Sequence, residues 1–115
     1  IIDQKEIKLI TLDAFIEGNG INKVDFMKID VEGSEIDALQ GSNLTLQKNK
    51  PKLHMEVNSE LLNASQHSVQ ELWEFLKELD YKKIYYYDKD PNLLLDFEKL
   101  KDNENVINTN VIALN

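Results

Sequence analysis

From Val24 to Glu35 the chain reads Val-Asp-Phe-Met-Lys-Ile-Asp-Val-Glu-Gly-Ser-Glu: a strand that runs into a glycine turn and then opens a helix. No other segment constrains the fold as much. Successive side chains of a strand point to opposite faces, so Lys28 and Asp30 share one face and Met27, Ile29 and Val31 the other. A strand feeding directly into a helix starts a βα unit, which returns to a parallel strand by a right-handed crossover. In open sheets built this way, ligands bind just beyond the carboxyl ends of the strands. Lys28, Asp30 and Glu32 stand at such an end and are candidate site residues.

The rest of the chain alternates strand and helix patterns. Ile7 to Leu12 reads as a short strand or edge segment, and Thr11 as the N-cap of a short helix carrying Ala14, Phe15 and Ile16, closed by Gly18. Ser34 caps a helix with Ile36, Ala38 and Leu39 on one side, ending at Gly41. A further turn around Leu44 and Leu46 leads to Pro51, which cannot continue a helix. Lys52 to Asn58 is a second alternating strand, with Leu53, Met55 and Val57 on one face and His54 and Glu56 on the other. Ser68 and Glu71 form a capping box ahead of Val69, Leu72, Trp73, Leu76 and Leu79 at helical spacing. Lys82 to Tyr87 reads as a third strand. From Asp88 to Asn110 the pattern is mixed, with a short helix near Phe97 and Leu100, and Val111 to Leu114 is a final strand. No comparable helix separates the last two strands, so that pair is expected to be antiparallel.

A length of 115 residues is about one domain, and 42% apolar residues suffice for a core. The net charge of −8 argues against nucleic acid or an anionic membrane as the main partner. There is no cysteine, hence no disulfide framework and no thiolate nucleophile or metal ligand; this suits a reducing, cytoplasmic setting. Every basic residue is lysine, so no guanidinium is available for bidentate grip on a phosphate or carboxylate. No apolar run approaches the ~20 residues of a membrane-spanning helix, no signal peptide is visible at Ile1, and no metal site is read.

If the first two alternating strands are parallel neighbours, Lys28, Asp30, His54 and Glu56 converge near their carboxyl ends, with Glu32 and Glu35 just beyond. Such a group can bind a cation, orient a hydroxyl or act as a general base. The competing reading is a sheet with one solvated face, and Glu35 near a helix start is expected from dipole pairing alone. His67 reads as a surface residue ahead of a capping serine. Gly18-Asn19-Gly20 is rejected as a phosphate loop, because it follows a helix and Lys23 stands where a third glycine belongs. Tyr85, Tyr86 and Tyr87 form an aromatic strand able to stack a ligand, but a sheet face is the stronger reading because aromatics are ordinary strand formers.

The run from Asp25 to Glu35 closely resembles the FkbM family of S-adenosylmethionine-dependent methyltransferases. Ile10 to Ile16, Leu39-Gln40-Gly41, Pro51 to Val57, and the helix through Leu72-Trp73-Glu74-Phe75-Leu76 followed by Tyr81 are similar to the same family. The resemblance covers most of the chain up to Tyr87. It implies an α/β, Rossmann-like class I methyltransferase fold whose C-terminal half is present here, a mostly parallel sheet with an antiparallel last strand. Asp30 would end the fourth strand of that sheet, near the methyl donor and acceptor, and Glu56 would end the fifth. The implied cofactor is S-adenosylmethionine, and the implied reaction is O-methylation of a hydroxyl on a small molecule or sugar. Family members also carry a glycine-rich turn after their first strand and an acid that holds the donor's ribose. Neither has a counterpart here, so residues 1–115 read as the C-terminal part of a methyltransferase domain.

Two other classes compete. A receiver-like phosphoacceptor domain has similar length and an aspartate at a strand end, but it needs an early acidic pair that is missing. A non-catalytic interaction module, pairing with another chain or with itself through an exposed strand edge, is compatible with a methyltransferase origin.

Overall fold

The computed structural model of the chain describes residues 6, 8–103 and 105–115. Thr11 caps the first helix, α1 (Leu12–Gly18), its hydroxyl accepting from the Ala14 amide at 3.1 Å. Lys8 to Thr11 form no strand; of the short strand expected over Ile7 to Leu12, Ile7 lies outside the described residues and Leu12 already begins α1. The first strand, β1 (Phe26–Ile29), is shorter than the Val24 to Val31 that alternation suggested; among the described residues it pairs with β2 alone. Then follow α2 (Glu35–Gln40), α3 (Asn43–Asn49) and β2 (Lys52–Asn58). Leu44 and Leu46 thus lie on a full helix rather than a turn, ended by Lys50 in a left-handed conformation (φ 47°) before the buried Pro51.

A short helix absent from the sequence reading, α4 (Ser59–Ala64), is capped by Asn58, whose side chain accepts from the Leu61 amide at 3.1 Å. The amphipathic helix α5 (Val69–Glu78) starts where the capping signal placed it. Ser68 accepts from the Glu71 amide at 3.1 Å, but the Glu71 carboxylate turns to His67 instead of closing the box. The remaining elements are β3 (Lys83–Tyr87), a two-residue strand β4 (Leu95–Asp96), a 3-10 turn (Phe97–Leu100) and β5 (Asn108–Leu114).

The five strands form one sheet in the order β1-β2-β5-β3-β4. Among the described residues only β1 and β2 pair in parallel; β2–β5, β5–β3 and β3–β4 are antiparallel. This corrects the expectation of a mostly parallel sheet, while the last strand is antiparallel as expected. Two of the three antiparallel pairings come from one insertion, the third being the β3–β4 pair. β1, β2 and β3 run the same way, as alternation with helices requires, but β5 returns between β2 and β3 and so faces an antiparallel neighbour on each side.

Alternation then decides the layers. Ile29, Leu53, Met55, Val57, Ile84, Val111 and Ala113 occupy one sheet face and are buried against Ile36, Leu39, Leu46, Leu62, Leu72 and Leu76 of the helices. The opposite face holds Lys28, His54, Glu56, Tyr85, Tyr87, Asn110 and Ile112, none of them buried. The solvated-face reading is therefore correct for this side of the sheet. Tyr81 fastens the core at the other end: its buried hydroxyl donates to the Pro51 carbonyl at 2.6 Å, and burial pushes the phenol up to about 12.

Candidate functional site

The chain leaves β1 through a turn whose geometry dictates its residues. The Ser34 amide donates to the Val31 carbonyl at 3.2 Å, and the two residues between them, Glu32 (φ 48°) and Gly33 (φ 101°), both have positive φ. Primed turns require this, and Gly supplies it without steric cost. Gly33 is further restricted by packing, since a Cβ there would lie 2.4 Å from the Leu61 carbonyl oxygen. Asp30, Val31 and Glu32 are all exposed on the outer side of this turn.

A cleft of about 920 Å³ lies along the edge of β1 away from β2, an edge that no described strand pairs, and is walled by α1 and α2. That volume lies within the range of about 300–1,000 Å³ usual for small-molecule sites. Leu9, Ile10, Phe15, Met27 and Val31 supply apolar walls, and Lys28 and Asp30 bring charge from the strand. Thr11, Ser34 and Asp37 also line it.

The sequence candidates do not gather into one cluster. Lys28 and Asp30 line the cleft; Glu32 stands exposed on the turn. His54 pairs with Lys28 in register across β1 and β2, yet its Nε2 lies 3.0 Å from the Tyr87 hydroxyl, with ring centroids 5.9 Å apart. Glu56, opposite Asn110, is exposed on the open sheet face. Among the described residues, no ion pair joins any of these side chains. Tyr87, named in the sequence as an aromatic strand residue and set aside as a sheet face, stands beside His54, and Asp37 is an addition that the sequence did not suggest. The period-2 spacing of Tyr85 and Tyr87 already placed both on the open face; nothing local signalled that Asp37 would reach the cleft.

His67 is no free surface group. Its side chain is 16% exposed, with Nδ1 2.8 Å from Glu71 Oε2 and Nε2 3.2 Å from Asp37 Oδ1. Hydrogen bonds to Asp37 and then Glu71 raise its pKa above the ordinary histidine value.

The segment carrying the turn and the cleft also carries the family signal, because a model of the methyltransferase FkbM domain matches residues 1–83. The chain belongs to the FkbM methyltransferase family. No curated protein and no solved structure matches it significantly. FkbM membership points to methyltransferase chemistry and to a donor of the S-adenosylmethionine type. Residues beyond the FkbM match supply β5, hydrogen-bonded between β2 and β3, so the sheet continues past the matched region. Among the described residues, no group of three or more His, Cys, Asp or Glu side chains is placed to hold a metal ion. No helix there is long and apolar enough to cross a membrane.

Proposed function

We propose that this chain is the acceptor-side part of an FkbM methyltransferase that uses S-adenosylmethionine to O-methylate a hydroxyl of a small molecule or sugar. The observation that carries the proposal is Asp30, delivered by the end of β1 into an apolar-walled cleft on the family's matched segment. On this reading β1, β2, β3 and β5 are the fourth, fifth, sixth and seventh strands of a Rossmann-like class I sheet. The position of β5, antiparallel between β2 and β3, supports it. The β1 edge, left unpaired among the described residues, and the exposed Phe26 and Val31 support a domain completed by further structure on that side. The net charge of −8 favours a small acceptor over nucleic acid or an anionic membrane, and the lack of cysteine suits the cytoplasm.

The residues of the cleft suit such a donor: Asp30 and Asp37 offer carboxylates to its cationic groups, and Phe15, Met27 and Val31 offer apolar contact. When bound, the donor supplies an electrophilic methyl group. With donor and acceptor bound, Asp30 would take the proton from the acceptor hydroxyl as that oxygen bonds to the methyl carbon, the carbon–sulfur bond of the sulfonium breaks and the neutral thioether leaves. Lys28, on the same strand face, holds the acceptor's polar edge, while the apolar walls exclude water. Glu56, and His54 with its Nε2 3.0 Å from the Tyr87 hydroxyl, lie outside the cleft lining on the open sheet face, so Asp30 is the base of this reading. Alignment of the two reactants supplies much of the rate.

Titration calorimetry of S-adenosylmethionine into the chain is the direct test, followed by methyl transfer in the complete protein. Asp30→Asn is expected to leave the fold intact and to lower binding or turnover at least ~10-fold, the lower end of the usual general-base contribution being ~100-fold. Unchanged binding and turnover in that variant would remove Asp30 from the mechanism. A second reading, an interaction module that pairs through β1, rests on the same exposed edge. A strict monomer in light scattering would count against it.

A further inference from the structure

We infer that Glu35 is the positioning residue of the cleft: its buried carboxylate clasps the backbone of the strained turn from within and thereby sets where Asp30 and Glu32 stand. Three acids lie within this short stretch, and the structure separates them sharply. Asp30 and Glu32 are exposed, whereas Glu35 is 0% exposed. A carboxylate taken out of water is costly unless every oxygen is satisfied. Glu35 meets that demand entirely from the turn. Oε2 accepts from the Val31 amide at 3.1 Å, Oε1 accepts from the Gly33 amide at 3.0 Å, and Oε2 shares the Gly33 proton at 3.4 Å.

The direction of these bonds decides between two roles. A carboxylate serving its own helix would accept from amides of the first helical turn. Glu35 reaches back to residues that precede α2, and Ser34, in the N-cap position, makes no side-chain cap bond at all. The object held is therefore the Val31–Ser34 turn. Holding is needed, because Glu32 carries a side chain at φ 48°, a conformation that persists only where its surroundings over-determine it. Gly33 packed on the Leu61 carbonyl fixes the turn from one side and the Glu35 carboxylate from beneath. What remains free to face a ligand is the outer rim, with Asp30 at its start and Glu32 at its crest. The role extends the proposed function but is tested without it.

The test uses the ¹⁵N-labelled full chain as wild type, Glu35→Gln, and Glu35→Gln combined with Glu32→Gly. Amide hydrogen exchange is read at Val31 and Gly33 and compared with Met55 and Val57 in β2. Glu35→Gln keeps the volume but sets an NH₂ donor against one of the turn amides. Exchange at Val31 and Gly33 is expected to rise at least tenfold while Met55 and Val57 stay protected, and the HN–Hα coupling of Glu32 is expected to leave its left-handed value. Adding Glu32→Gly, which makes positive φ cheap, is expected to restore part of the lost protection. Equal acceleration at Val31, Gly33, Met55 and Val57 would mean that Glu35 only supports the core. Unchanged exchange, or no rescue by Glu32→Gly, would equally overturn the inference. Should Glu35→Gln fail to fold, the wild-type chain alone decides: scalar coupling through the hydrogen bonds, from the Val31 and Gly33 nitrogens to the Glu35 carboxyl carbon, must be present. None of these readouts needs a methyl donor or acceptor, so their failure is distinct from failure of the proposed reaction.

Discussion

Gly33 combines two demands that no other residue type can meet, a φ of 101° and a Cα against the Leu61 carbonyl. Gly33→Ala is expected to destabilise the chain by about 2 kcal/mol or more, since strain at positive φ and a backbone clash add. Urea unfolding measures it, and a loss below ~0.5 kcal/mol, the scatter of ordinary surface changes, would show that the turn can relax. The need for glycine here was legible in the Val-Glu-Gly-Ser run, because glycine between a strand and a helix marks a turn. That Glu35 would be buried was not legible. A glutamate at a helix start has a sufficient local explanation in the dipole, and only the fold shows its carboxylate turned back to Val31 and Gly33.

Among the elements, α5 ends in a Schellman motif, with the Tyr81 amide donating to the Leu76 carbonyl at 3.1 Å and the Asp80 amide to the Lys77 carbonyl at 2.9 Å. The left-handed position is held by Asp80 at φ 67° where glycine is usual. Asp80→Gly is therefore expected to raise stability by about 0.5 kcal/mol in denaturant unfolding; a loss would show that Asp80 has a partner role. Helix-to-helix polar joints make stability depend on pH in two windows. The first is Asp13 of α1, whose Oδ1 accepts from the Thr45 hydroxyl at 2.6 Å and the Thr45 amide at 2.9 Å, and whose Oδ2 accepts from the Leu44 amide at 3.0 Å. Burial raises its pKa, but the bonds from Thr45 and Leu44 prevail and hold it below the ordinary 3.8. That contribution is present above pH 3.8 and is lost as pH falls through the folded-state value. The second joint is His67, whose pKa is raised by Asp37 first and Glu71 second. Its contribution is complete below pH 6.5 and is lost as pH rises through the higher folded-state value. Melting temperature against pH should decline on both sides, and His67→Gln should flatten only the alkaline limb; an unchanged alkaline limb would remove His67 as its cause.

For the molecule as a whole, the one-sided sheet makes neighbouring residues of β2 unequal. Leu53→Ala is expected to cost about 2–5 kcal/mol by leaving a cavity, whereas His54→Ala should cost no more than about 1 kcal/mol, the worth of one hydrogen bond. Equal costs in chemical unfolding would mean that the open face is covered in solution. Much of this architecture followed from sequence alone, because it rests on local periodicity and end signals. The period of two in Met27 to Ile29 and Leu53 to Val57 determined which faces are apolar, while Val31, read onto the same face, lies exposed on the turn beyond β1. Thr11 and Ser68 determined where helices begin, through cap bonds to residues three positions on. The run from Asp25 to Glu35 determined the family. Pairings between distant segments were settled by tertiary structure. β5 was legible only over Val111 to Leu114, because Asn108, Thr109 and Asn110 break the apolar pattern; Thr109 is buried because its hydroxyl donates to the Tyr87 carbonyl at 2.9 Å. Its insertion between β2 and β3, which makes both of its own pairings antiparallel, is a choice among backbone partners far apart in the chain. The separation of Asp30 from His54 and Glu56 has the same origin: strand alternation places side chains on a face, but a cleft forms only where packed helices and an unpaired edge leave one.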